Sequence, residues 1–401
     1  MKLLWIATKA PWPPVDGGRL LLWETLSALR AHGCEIALVA PVGGAAVAEQ
    51  RVVEELSAVC EPHLVPHRRP GFLRAWTLSL LGRRPVTLVR HEAPGVVEAA
   101  GRIVAELRPD VVVAEQLQAY PQAREAAGGR APVVVRAQNV ESDLWSAAAR
   151  RSLLARGLLR VEARRLARLE GEMLADAAAV IAVSHEDAAR LREIAGEMLH
   201  PRVVHPPFPA VLPPSEVGLE GSPALVVLGS AGWIPNRDSI RWVLSELWPH
   251  VQRELPAAVL HVFGAPRLGA PGVVGHPAPE ESAAAFARGS VLLVPLRVAS
   301  GIRMKVLEAW ARGVPVVATT VAARGLAEGA EDALLRADSA RELVAALRRL
   351  ARPGEAERLC AAGRSVLRER HDPSATAARL EELLREVAQR AMGGGRSGRQ
   401  R

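Results

Sequence analysis

The sequence predicts an α/β protein of two Rossmann-like, doubly wound domains facing a central cleft. Three observations carry that expectation. The chain has 401 residues, more than the roughly 250–300 at which a single hydrophobic core stops growing. Short β-branched runs alternate with helical stretches along the chain, the pattern of parallel strands covered on both faces. A Pro-rich stretch without periodicity, His205 to Pro223, divides the series into two.

Taken in order, Lys2 to Thr8 reads as a buried strand, followed by a loop of prolines and glycines. A helix from about Gly18 to His32 follows, with Leu22, Leu26 and Leu29 on one face and Gly33 as its cap. Glu35 to Pro41 is the next strand, so the chain opens with a βαβ unit whose helix N-terminus can face a phosphate. Strands at Asp110–Ala114, Pro132–Arg136 and Ala178–Val183 complete a first domain over 1–204. After the linker, 205–223, strands at Ala224–Ser230, Ala258–Gly264, Ser290–Leu296 and Val314–Thr320 build a second domain over 224–375. A last helix, 376–392, is expected to pack back on the first domain, ahead of a disordered basic tail, 393–401. Sheets of this kind hold ligands at the carboxyl ends of their strands, so chemistry is expected there.

Composition narrows the function classes. The formal charge is +8 and arginine supplies nearly all of it, which suits an anionic ligand or surface and equally a base composition rich in Arg. Aromatics make up 3% of residues, too few for a base-stacking platform, and no nucleic-acid-binding motif is present, so nucleic acid is not an expected partner. The cysteines Cys34, Cys60 and Cys360 are widely spaced without a CxxC, which fits a reduced cytoplasm. The opening MKLLWIATKAPWPP has too short an apolar run for a signal peptide, and no stretch approaches the roughly 20 apolar residues of a membrane span. No Asp-x-Asp or HExxH occurs, so neither a metal nor another cofactor is expected.

The stretch richest in chemistry runs from Ser290 to Leu326: strand, loop turning at Ser300-Gly301, helix to Arg312, Gly313 as cap, strand. Gly301 permits close backbone approach, and Arg303 and Lys305 near the positive helix end supply two charges for a pyrophosphate. Glu308, one to two turns in, is an acceptor-only group suited to the vicinal hydroxyls of a ribose. The plain alternative is a solvated helix face in which Lys305 and Glu308 form an i,i+3 pair.

SGIRMKVLEAW followed by ARGVPVVAT resembles the C-terminal signature of family 4 glycosyltransferases (glycosyl transferases group 1), which have the GT-B fold. It is most similar to the subgroup in exopolysaccharide clusters. That family carries an acidic residue where this chain has Ser300, a position that meets the donor sugar. The resemblance extends to LVVLGSAGWIPNRD, where a glycine, here Gly229, follows the first strand of the donor domain. The Arg and Lys usual after that glycine are replaced by Ser230 and Pro235, leaving Arg303 and Lys305 to meet the phosphate. The first loop, with Gly17 and Gly18 before the helix, also resembles the family's and implies a backbone approach to the donor phosphate.

On the acceptor side, Glu115 stands where family members carry a His or Asp near the reacting sugar, and a carboxylate there suits a catalytic, proton-accepting role. An ordinary loop Glu is the alternative. Gln138 and Asn139 in RAQNVES resemble the family's His-Asn-Val-Glu, with Gln for His. The resemblance implies a metal-independent, retaining transfer of sugar from a nucleoside-diphosphate sugar to a hydroxyl acceptor, in polysaccharide, glycolipid or glycosylated-metabolite assembly. A nucleotide-sugar 2-epimerase and a non-catalytic sugar-nucleotide binder are the other readings of the same fold. The apolar decamer within His67–Pro85, fenced by Arg68, Arg69, Arg74, Arg83 and Arg84, together with an Arg-rich helix, Arg150–Arg168, suits peripheral contact with an anionic membrane and a lipid-linked acceptor; a solvated face is the plain alternative for each.

Overall fold

Apolar runs such as VVVAE and SVLLV form strands buried on both faces. The computed structural model describes residues 1–43, 46–82, 84–151, 155–213, 215, 218–229, 234–279 and 281–397. The chain divides into two units, Met1–Pro207 joined by Pro373–Arg401, and Phe208–Asp372.

In the first unit β1 (Lys2–Ile6), β2 (Glu35–Val42), β3 (Glu61–Pro66), β4 (Val111–Glu115), β5 (Val133–Ala137), β6 (Ala179–Ala182) and β7 (Arg202–Val203) make one parallel sheet in the order β3-β2-β1-β4-β5-β6-β7. Strand order reverses between β1 and β4, which makes their carboxyl ends the switch point where ligands bind in such sheets. β3 is absent from the sequence reading because Pro62 and Pro66 interrupt it; as an edge strand it can carry prolines without losing ladder bonds on its paired side.

In the second unit β8 (Ala224–Leu228), β9 (Val259–Phe263), β10 (Gly269–Ala270), β11 (Val273–His276), β12 (Ser290–Val294), β13 (Val316–Ala318) and β14 (Leu335–Arg336) run β10-β11-β9-β8-β12-β13-β14. All pairs are parallel except β10 with β11. Here the switch point lies between β8 and β12.

The last helix, Pro373–Ser397, is longer than the 376–392 expected, so residues 393–397 are helical where a disordered tail was expected; 398–401 lie outside the described residues. Its Ala377, Leu380, Leu383, Leu384, Val387 and Ala388 share one apolar cluster with Leu22, Leu26 and Leu29 of helix Gly17–Ala31. Each Leu so covered contributes about 1.5–3 kcal/mol. The Arg-rich stretch is also not one helix: Glu141–Arg151 and Arg156–Asp176 share it, and 152–154 lie outside the described residues.

Candidate active site

In the second unit, β12 delivers the chain into a loop that turns at Gly301, whose φ of 74° favours glycine. Helix Met304–Arg312 then begins, with Arg303 at its N-cap position. Buried Arg303 turns its guanidinium onto the chain itself, donating to the carbonyl oxygens of Ser300 (3.2 Å), Gly301 and Arg324 (2.6 Å). It clamps the loop, a use of its charge that the sequence reading, which aimed it at a phosphate, did not foresee.

Lys305, in the first turn, sends Nζ to the carbonyl of Leu228, the last residue of β8. The amine therefore sits at the switch point, beside Gly229. Burial, and Arg303 close by, pull its pKa down to about 8. At Gly229 a Cβ would lie 2.6 Å from the Asn236 side chain, so the glycine lets helix Ile234–Trp242 approach the strand end. Ser230 lies outside the described residues, as does the side chain of Pro235.

Glu308 is 3% exposed. One oxygen, Oε1, accepts from the Ser282 hydroxyl and from Arg312 Nε at 3.0 Å. The i,i+3 pairing with Lys305 considered from the sequence is replaced by this i,i+4 pair with Arg312. Oε2 has no protein donor among the described residues and stays available to a ligand hydroxyl. Ser282 and Arg312 escaped the sequence reading; Arg312 was legible only as the fourth residue after Glu308 on one helix face.

The first unit has its own constellation at the β1/β4 switch point. Glu115 ends β4 but faces inward, 2% exposed, where Oε1 accepts from Arg136 Nη1 (2.8 Å) and Gln138 Nε2 (2.7 Å) and Oε2 from Trp5 Nε1 (2.7 Å). Three donors take both oxygens of this carboxylate in the interior, whereas the catalytic, proton-accepting role expected from the sequence calls for an oxygen open to the acceptor. The next residue is the unusual one. Gln116 has φ 71° and ψ 158°, a region that only glycine enters easily and that costs about 1–3 kcal/mol elsewhere. Its amide accepts from Thr8 Oγ1 (2.9 Å) and donates to Gln138 Oε1 (2.8 Å). Gln138 reaches on to the Gly18 carbonyl at 3.2 Å, and a Cβ on Gly18 would lie 2.7 Å from Gln138 Oε1. Gly17 and Gly18 open the helix, capped by Asp16, which accepts from Arg19 N at 3.0 Å. Gly18, Glu115 and Gln138 are thus brought together, with Gln116 as the member that sequence reasoning missed.

Two family models match this chain: the glycosyl transferase 4-like domain over residues 17–208 and glycosyl transferases group 1 over residues 222–353. The chain is a glycosyltransferase. No curated protein matches it. Among solved structures, the glycosyltransferase is similar to sucrose-phosphate synthase from Thermosynechococcus elongatus, with TM-score 0.70 and 15% identity over 96% of this chain and 99% of that one. It is similar to HepE of Anabaena, solved with UDP and glucose, with TM-score 0.66 and 16% identity over 96% and 100%. A Rickettsia africae glycosyltransferase gives TM-score 0.62 and 11% identity over 96% and 98%. The fold is GT-B.

Two further carboxylates of the glycosyltransferase are buried together. Asn139 and Gln118 donate to Glu141, whose pKa burial and the neighbouring carboxylate of Glu170 push up to about 7. Glu170 in turn receives the backbone N–H groups of Glu141 (3.0 Å) and Ser142 (3.1 Å) at the head of helix Glu141–Arg151. No group of three or more His, Cys, Asp or Glu placed to hold a metal occurs among the described residues, and no helix among them is long and apolar enough to cross a membrane.

Proposed function

We propose that the enzyme transfers a sugar from a nucleoside-diphosphate sugar to an acceptor hydroxyl, without a metal and with retention of configuration, in polysaccharide, glycolipid or glycosylated-metabolite assembly. The observation that carries this reading is the meeting, at the β8/β12 switch point, of Lys305, Gly229 and the N-terminus of helix Met304–Arg312, with Glu308 farther along that helix. The acceptor oxygen bonds to the anomeric carbon, the bond from that carbon to the phosphate oxygen breaks, and the diphosphate leaves with the electron pair and takes up the hydroxyl proton. Lys305 and the helix N-terminus stabilise the departing charge. Glu308 takes the ribose hydroxyls through Oε2. HepE was solved with UDP-glucose, which supports a nucleotide-sugar donor here.

The test is nucleotide binding by the purified chain against UDP, GDP and ADP. Lys305→Ala and Glu308→Gln should each weaken the preferred diphosphate at least ten-fold and abolish transfer. Unchanged affinity in both would remove the site from this helix. Donor turnover without acceptor, yielding an epimerised free sugar, would favour the 2-epimerase; binding without any turnover would favour the non-catalytic binder.

A membrane-associated acceptor is favoured by helix Phe72–Gly82. Phe72 (54%), Leu73 (84%), Leu80 (64%) and Leu81 (79%) are exposed there, beside Arg74 and with Arg68 and Arg84 at its flanks. Arg83 lies outside the described residues. Sedimentation with anionic but not neutral liposomes at low salt is the expected outcome, and Leu73→Asp with Leu81→Asp should abolish it; equal partition onto both liposomes counts against this reading.

A further inference from the structure

Around the carboxyl ends of β1 and β3 the first unit gathers more positive charge than its own carboxylates answer. Lys9, in the loop after β1, pairs with Asp16 at 2.7 Å. Arg19 approaches the same carboxylate at 3.5 Å. Arg69, in the loop after β3, donates to the Thr8 carbonyl at 2.5 Å. Arg90 is the penultimate residue of helix Val86–His91, and His91, the last, bonds the Thr87 carbonyl at 2.7 Å. Lys9, Arg69 and His91 each have their pKa held down by burial and by other cations of this set, so the charges share one small region. The nearest other acid along the chain, Glu92, is paired with Arg84.

Among the described residues here, the buried donors Arg19 Nε and Arg90 Nε and the ring nitrogen His67 Nε2 have no hydrogen-bond partner. Leaving such a donor unmet costs about 1–3 kcal/mol, which an incoming acceptor oxygen recovers. Like charges held together likewise raise the free energy of the empty site and are relieved by a counter-anion. The cluster is continuous with the switch point, since Arg69 holds the Thr8 carbonyl and the Thr8 hydroxyl holds Gln116.

We infer that the first unit binds a phosphate group carried by the acceptor, held by Arg69 and Arg90 with Lys9 and Arg19 behind them. Guanidinium groups take phosphate oxygens in a bidentate fork, which is why two arginines are the reading's centre. The inference deepens the proposed transfer and rests on it for the word acceptor. A soluble sugar phosphate and a lipid phosphate present the same group. The lipid source has a point in its favour: Arg90 stacks at 3.8 Å on Phe72, the first residue of the exposed apolar helix.

The experiment follows thermal stabilisation of the full chain by two probes, a hexose 6-phosphate and UDP, in wild type, Arg69→Gln with Arg90→Gln, and Lys305→Ala. The hexose phosphate should stabilise wild type and Lys305→Ala, and the double arginine variant should need at least ten-fold more of it for the same shift. UDP should stabilise wild type and the arginine variant but not Lys305→Ala. A UDP response that survives Lys305→Ala counts against the donor site while leaving the phosphate site standing. Loss of the UDP response in the arginine variant assigns the cluster to the donor and overturns the inference. Phosphatidic acid vesicles against phosphatidylcholine vesicles test the lipid source: vesicle binding lost in the arginine variant, without a hexose phosphate response, supports the lipid form. Equal responses of wild type and arginine variant to both phosphate probes, or none to either, overturn it. Arg69→Lys with Arg90→Lys, which keeps charge without the fork, should restore part of the affinity.

Discussion

Arg136 and Glu115 form an ion pair at 2.8 Å with side-chain exposures of 1% and 3%, bridging the carboxyl ends of β5 and β4. Removing one partner strands the other as an uncompensated buried charge, at a cost of about 3–5 kcal/mol. Arg136→Met should therefore lower the urea midpoint strongly. Arg136→Met combined with Glu115→Leu should be less damaging than the sum of the singles. Transfer in any variant that folds should still fall, because Gln138, and through it Gln116, lose their anchor; unchanged transfer would show that this network does not position the site.

Lys305 sets an expected pH dependence. With its pKa near 8, the amine is charged below that value and neutral above it. Nucleoside-diphosphate affinity should weaken as pH rises from 7 to 9.5, by about ten-fold if one charge-assisted contact worth roughly 1.5 kcal/mol is lost. Lys305→Arg should flatten the profile. Titration calorimetry at the two pH values decides it.

Glu141 ties stability itself to pH. Its carboxyl is raised from 4.5 to about 7 by burial and by Glu170, so across that window the folded chain keeps a proton that the unfolded chain has released. Stability is fullest below the unfolded value and declines as pH rises toward 7. Glu141→Gln should remove this decline and raise stability at pH 8 by up to about 3 kcal/mol. Melting curves of both proteins at pH 5 and pH 8 measure it.

Gly363 faces the ring of Trp310, and a Cβ there would lie 2.3 Å from the indole. Trp310 cannot yield easily, being 0% exposed and bonded through Nε1 to the Ala333 carbonyl at 2.9 Å. Gly363→Ala should cost about 1–3 kcal/mol through overpacking and, because Trp310 shares a helix with Lys305 and Glu308, weaken nucleotide binding. A melting temperature equal to wild type would contradict the packing argument.

Most of the frame was legible because buried parallel strands announce themselves as unbroken apolar runs. The strands that were not, β3 with its prolines, the short β11 and the two-residue β7, β10 and β14, are edge or near-edge pieces whose pairing depends on neighbours elsewhere in the chain. For the site, the helix carrying Arg303, Lys305 and Glu308 was readable from its glycines and charges. Which way each side chain turns was not. Arg303 faces three carbonyls and Glu115 faces the core because of partners 21 residues away in each case, Arg324 and Arg136. Gln116 carries no sequence mark of its backbone conformation, since nothing in a glutamine advertises a positive φ.

The docking of helix Pro373–Ser397 on helix Gly17–Ala31 has a consequence for synthesis. Residues that finish the first unit leave the ribosome only after the whole of Phe208–Asp372. Phe208–Asp372 is contiguous and can close as soon as it emerges, whereas Leu22 and Leu26 await a cover made more than three hundred residues later. Nascent chains stalled before Pro373 should recruit chaperones at that uncovered face.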